Sequence, residues 1–152
     1  MATLISRSPA ETAQLGELWG RQAQAGCVVG LTGDLGAGKT ELVKGIARGL
    51  GVVDRVHSPT FALIHQYNGG RLPLFHLDLY RLDTREQIVG AGLEQYLSRP
   101  KGVAVIEWAE RWFDEIQDCA SQVSSFRSRC RRVRMEVINE TERRISYEDF
   151  GA

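Results

Sequence analysis

Eight consecutive residues, Gly33, Asp34, Leu35, Gly36, Ala37, Gly38, Lys39 and Thr40, spell the pattern G-x-x-x-x-G-K-T. Each part of that pattern does phosphate chemistry. The glycines let the main chain curl around a phosphate chain with its N–H groups inward. Lys39 reaches toward the β- and γ-phosphates, and the Thr40 hydroxyl is placed to ligate Mg²⁺. Glu41, the next residue, is counted with this nucleotide-binding set. A loop of this kind needs carboxylates near the metal and the attacking water. Glu107 ends the apolar run Val103-Ala104-Val105-Ile106, and Asp78 lies within His76-Leu77-Asp78-Leu79-Tyr80-Arg81. Glu107 suits water-mediated Mg²⁺ binding or orientation of the nucleophile; the bland reading is a glutamate at a strand end. Asp78 is the second candidate, against a buried polar network or a solvated face shared with His76 and Tyr80. Ser58 and Thr60 lie in a loop whose equivalent in many such ATPases and GTPases senses the γ-phosphate through a hydroxyl on Mg²⁺; the bland reading is an ordinary turn. Trp108 faces either the nucleotide, a partner or the core.

The elements around these residues have to place them. Cys27-Val28-Val29-Gly30-Leu31-Thr32 has strand character, and Leu42, Val43, Ile46, Ala47 and Leu50 recur at helical spacing before Gly51. Strand, glycine loop and helix is the context the motif requires, because a helix N-terminus aims unpaired N–H groups at an anion. A first helix is expected over residues 9–25, capped by Ser8 and buried through Leu15, Leu18, Trp19 and Ala23. Residues 61–67 and 72–81 read as a hairpin around Asn68-Gly69-Gly70. Short helical or apolar stretches follow over 83–92 and 93–97, and a helix is expected over 110–119. Val133, Met135 and Val137 alternate inward on a last hairpin that returns through Ile145 and Tyr147. The expected fold is α/β: a P-loop NTPase-like, mostly parallel sheet flanked by helices, with antiparallel hairpin additions, as one domain over residues 1–152.

Composition narrows the function classes. Nineteen Lys and Arg balance nineteen Asp and Glu, so no global field points to nucleic acid or membrane. No apolar stretch is long enough to span a bilayer, and residues 1–7 lack a secretory apolar core. Cys27, Cys119 and Cys130 lack metal-ligand spacing and read as free thiols of a cytoplasmic protein. The cluster Arg127, Arg129, Arg131, Arg132 and Arg134 reads as a solvated strand edge or as a contact for phosphate or an acidic partner.

Four blocks in order, Gly33 to Thr40, His57-Ser58-Pro59-Thr60-Phe61, His76-Leu77-Asp78-Leu79-Tyr80-Arg81-Leu82 and Ile106-Glu107-Trp108-Ala109-Glu110-Arg111, resemble the bacterial TsaE (YjeE) ATPase family. The resemblance covers residues 8–113 strongly and the closing hairpin loosely. It implies an ATPase required for threonylcarbamoyl modification of the adenosine beside the anticodon in certain tRNAs. In that system the protein binds the TsaB–TsaD pair and resets it by hydrolysing ATP, without performing the transfer; tRNA contact is indirect. Carried onto this chain, Lys39, Asp78 and Glu107 are the catalytic set, and Thr40, Asp78 and Glu107 surround the metal. Thr60 belongs to a switch-like loop, and Trp108 lies beside the nucleotide. ATP and Mg²⁺ are the implied ligands. The chain departs from the pattern over residues 117–131, where a Ser/Cys/Arg-rich stretch replaces an expected proline-containing approach.

Two other classes compete. A small-molecule kinase would need an acceptor site and a lid, for which Arg81 and Arg85 are the candidates. A nucleotide-sensing module would keep Lys39 and Thr40 and tolerate loss of Asp78 or Glu107. A GTPase is disfavoured, since neither N-K-x-D nor D-x-x-G occurs.

Overall fold

The run from Val28 to Leu31 is apolar on both faces, and it becomes the middle of a sheet covered on both sides. The computed structural model describes residues 2–34, 36–57, 59, 62–98, 100–112 and 130–150. Among them are the strands β1 (Ala2–Ser6), β2 (Val28–Gly33), β3 (Ile64–Tyr67), β4 (Leu74–Asp78), β5 (Val103–Glu107), β6 (Cys130–Val137) and β7 (Arg143–Phe150). They join in one sheet in the order β1-β7-β6-β2-β5-β4-β3. The central four, β6, β2, β5 and β4, are parallel, and the pairings β1–β7, β6–β7 and β3–β4 are antiparallel. This is the expected α/β architecture with hairpin additions.

Helices α1 (Pro9–Gln22) and α2 (Lys39–Leu50) cover one face, with Val29, Leu31, Val105, Val133 and Met135 beneath them. Helices α3 (Arg85–Gly90) and α4 (Glu94–Ser98) cover the other, over Phe75, Leu77, Ala104 and Ile106. Leu42, Ile46 and Leu50 of α2 are fully buried, each contributing about 1.5–3 kcal/mol by removal from water. Gly51 ends α2 in the left-handed conformation, its N–H returning to Ala47 and Arg48.

Several boundaries differ from the expectation. Helix α1 stops at Gln22 because Arg71 reaches across to bond the carbonyls of Gly20, Arg21 and Ala23. Its buried face is not built on Leu18, which is 47% exposed, but on Thr12, Ala13, Gly16, Trp19 and Gly20. A Cβ on Gly16 would lie 2.4 Å from the Leu42 carbonyl oxygen, and one on Gly45 would lie 2.1 Å from that of Ala13. The two helices therefore meet backbone to backbone. Strand β4 ends at Asp78, so Tyr80 has left its face for a turn. Val137 is 45% exposed rather than inward, although Val133, Met135 and Ile145 are buried as expected. A 3-10 turn, Ala109–Arg111, opens the segment expected as a helix, and residues 113–129 lie outside the described residues. Cys130 is disulfide-bonded, which corrects the expectation of a free thiol at that position. Strand β1, not expected, pairs with β7.

Candidate functional site

At the carboxyl ends of the parallel strands the chain leaves the sheet at three adjacent places. Gly33 ends β2, Asp78 ends β4 and Glu107 ends β5. Leu31 is in register with Glu107, and Glu107 with Asp78. Side chains in register on neighbouring parallel strands share a face, so both carboxylates lie on the α2 side of the sheet. This edge of an open α/β sheet is where ligands gather.

The glycine loop is shaped by close approach and by handedness. A Cβ on Gly33, at φ +143°, would lie 2.2 Å from the carbonyl oxygen of Met135 on β6. Gly36 and Gly38 hold φ of +81° and +93°, conformations that L side chains rarely adopt. Ala37 is buried and donates its N–H to the Asp34 carbonyl at 3.1 Å. Gly38 is the N-cap of α2 and no side chain caps that end, in contrast to Ser8 on α1 and Thr84 on α3. The positive end of α2 is thus presented to the loop.

Lys39 is buried, 5% exposed, with Nζ donating to the Gly33 carbonyl at 2.8 Å. The same ammonium lies 4.2 Å from the centroid of the Trp108 ring. Trp108 can fold back there because it adopts a left-handed conformation, φ +61° and ψ +42°, directly after Glu107. That conformation costs about 1–2 kcal/mol for a non-glycine residue, and such cost concentrates at functional sites. Tyr80 lies 5.1 Å from Trp108 between centroids, and Arg111, paired with Asp83 at 2.8 Å, flanks the same ring.

The Thr40 hydroxyl donates to Glu107 Oε1 at 3.4 Å, and His76 Nε2 donates to Glu107 Oε2 at 2.5 Å. Asp78, half-buried, accepts the Tyr80 N–H at 3.0 Å. Glu41 directs its carboxylate to Lys44, 3.2 Å away, so it belongs to this site through its main chain in the first turn of α2. Of the expected site residues, Gly33, Asp34, Gly36, Ala37, Gly38, Lys39, Thr40, Asp78, Glu107 and Trp108 are brought to this one edge. Leu35 and Thr60 lie outside the described residues. Arg85, weighed as a lid residue, instead donates to the Trp112 carbonyl at 2.9 Å and lies over that ring.

Two contacts were not expected. His76 holds Glu107; the polar alternation His76-Leu77-Asp78 in an apolar strand was its signal. Arg143, the first residue of β7, donates to the Gly36 carbonyl at 3.3 Å while bonding the carbonyls of Asn139 and Glu142. No sequence pattern marks that contact, which joins residues 107 positions apart.

A family model described as "Threonylcarbamoyl adenosine biosynthesis protein TsaE" matches residues 6–145. A "tRNA threonylcarbamoyladenosine biosynthesis protein TsaE" of Nostoc sp. is 45% identical over 114 residues, 73% of this chain and 70% of its own length. One from Treponema pallidum is 43% identical over 120 residues, 79% of this chain and 87% of its own. The crystal structure of YdiB from Bacillus subtilis superposes with a TM-score of 0.74 at 30% identity, covering 99% of this chain and 86% of that one.

Proposed function

The chain belongs to the TsaE family of threonylcarbamoyl adenosine biosynthesis proteins, and we propose that within it this protein is a Mg²⁺-dependent ATPase acting on TsaB–TsaD. Its hydrolysis of ATP resets that assembly in the cytoplasm between rounds of tRNA modification, tRNA being met through the partners. The observation that carries the reading is the uncapped N-terminus of α2, set between Lys39 and the paired carboxylates Asp78 and Glu107.

The loop's main-chain N–H groups and the helix end receive the phosphates. Lys39 leaves the Gly33 carbonyl and the Trp108 face and follows the charge that develops on the β/γ-bridging oxygen. Thr40, Asp78 and Glu107 are hard oxygen donors on one edge, a set that fits Mg²⁺. When bound there, Mg²⁺ neutralises phosphate charge. The carboxylate not engaged with the metal orients the attacking water. Trp108, with Tyr80 against it, flanks this side of the site.

The test is Mg²⁺-ATP hydrolysis by the protein alone and with TsaB–TsaD and tRNA, with Lys39→Ala as control. Slow hydrolysis that the partners stimulate, and that the variant abolishes, is expected. Phosphate transferred to a small acceptor, or a fast rate that the partners leave unchanged, would overturn the proposal.

A further inference from the structure

Glu107 is held at both oxygens from different elements. Thr40, on the first turn of α2, reaches Oε1, and His76, from the strand alongside, reaches Oε2 at 2.5 Å. His76 is in register with Val105, two residues before Glu107 on β5, so its ring supports the carboxylate from the sheet side. His76 is 0% exposed. A carboxylate oxygen can only accept, so Nε2 carries the hydrogen of this bond. Nδ1 is buried and without a hydrogen-bond partner among the described residues. An unpaired buried polar nitrogen is unfavourable, and the same face of the sheet otherwise carries Leu74, Val103 and Val105. Packing alone would be served better by an apolar side chain. The imidazole is retained where its one bond points at Glu107.

We propose that His76 is a positioning residue for the ATPase reaction: it fixes the Glu107 carboxylate so that Oε1 stays turned toward Thr40, where Mg²⁺ would be held. This rests on the ATPase reading. Groups that orient a metal-site ligand act mainly on metal affinity and turnover, with effects of about 10–100-fold.

The test compares His76→Gln, whose amide nitrogen reaches about as far as Nε2, with His76→Asn, which is polar but too short. Both are assayed with TsaB–TsaD for kcat, the KM for ATP and half-saturating Mg²⁺, beside wild type and Lys39→Ala. Thermal unfolding of each variant reports folding. His76→Asn is expected to lose about 10–100-fold in kcat and to need more Mg²⁺, with the KM for ATP within about twofold. His76→Gln is expected to stay within about threefold of wild type at a Tm no higher than that of His76→Asn. Equal activity of the two variants, or losses that track Tm instead of donor reach, would overturn this inference alone. Absence of Lys39-dependent hydrolysis in the wild type would overturn the ATPase reading with it.

Discussion

The ammonium of Lys39 stands 4.2 Å above the ring of Trp108 while donating to the carbonyl of Gly33. The cation is thus parked against an aromatic face and one carbonyl, both of which phosphate oxygens would replace. Binding of Mg²⁺-ATP is therefore expected to change the fluorescence of Trp108. Trp108→Phe should remove that change, because Trp108 is the ring that Lys39 lies against, while Trp19 and Trp112 are buried. Titration of both proteins with a non-hydrolysable ATP analogue checks this.

Glu107→Gln and Asp78→Asn keep the shapes of the acidic pair and remove its charge. Each is expected to lower the stimulated kcat by about 10²–10³-fold, the scale set by loss of one transition-state stabiliser. ATP should still bind, which calorimetry would register. Glu107→Ala should also lower thermal stability, by about 1–3 kcal/mol, since it strands the buried His76 without a partner.

Helices α1 and α2 touch through glycines, whereas Gly90 at the end of α3 faces open space, so adding one methyl group should differ in effect between the two settings. Gly45→Ala would press a Cβ to 2.1 Å from the Ala13 carbonyl and is expected to destabilise by about 1–3 kcal/mol. Gly90→Ala, at the end of α3 with nothing within 4 Å, should be neutral or stabilising by up to about 1 kcal/mol. Chemical denaturation of the pair decides it.

Arg143 bonds the Gly36 carbonyl from the closing hairpin. Arg143→Ala is expected to weaken ATP binding by about 2–5-fold, the size of one modest hydrogen bond, with the unfolding midpoint nearly unchanged. An affinity equal to wild type would show that the loop holds its shape unaided.

Arg131 is bidentate to Asp149 at 2.6 and 2.8 Å and lies over the rings of Trp19 and Tyr147. Its hydrogen bond to Asp149 raises the guanidinium pKa above its ordinary value, against the lowering effect of burial. A raised pKa contributes stability below the ordinary arginine range that is lost only as pH rises through the folded value. Arg131→Met should therefore destabilise by about 1–2 kcal/mol, equally at pH of about 6 and about 9. Thermal scans at both pH values test the sign.

The candidate site was largely legible in the residues because its glycine loop is local. Gly33 to Thr40, the apolar strand before them and the helix after them are contiguous, and each residue's part follows from short-range geometry. Strand ends were readable for a similar reason: Glu107 follows four apolar residues, and a carboxylate there must lie at the sheet's edge. Legibility fell where partners are remote in sequence. Leu18 fits a helical stripe, yet Gly16 and Gly20 make the contact face because α2 presents Gly45 and Gly49 to them. The early stop of α1 depends on Arg71, about fifty residues away.

By itself the sequence determined the α/β class, the glycine loop, the helix behind it and a carboxylate, Glu107, at a strand end. Local dihedral preferences, apolar periodicity and charge are enough for those. Only the tertiary structure decided that β1 pairs with β7, that His76 and Thr40 share Glu107, that Trp108 covers Lys39, and that Arg143 reaches the loop. These are meetings of residues on different elements, set by strand order and register, which no local pattern encodes.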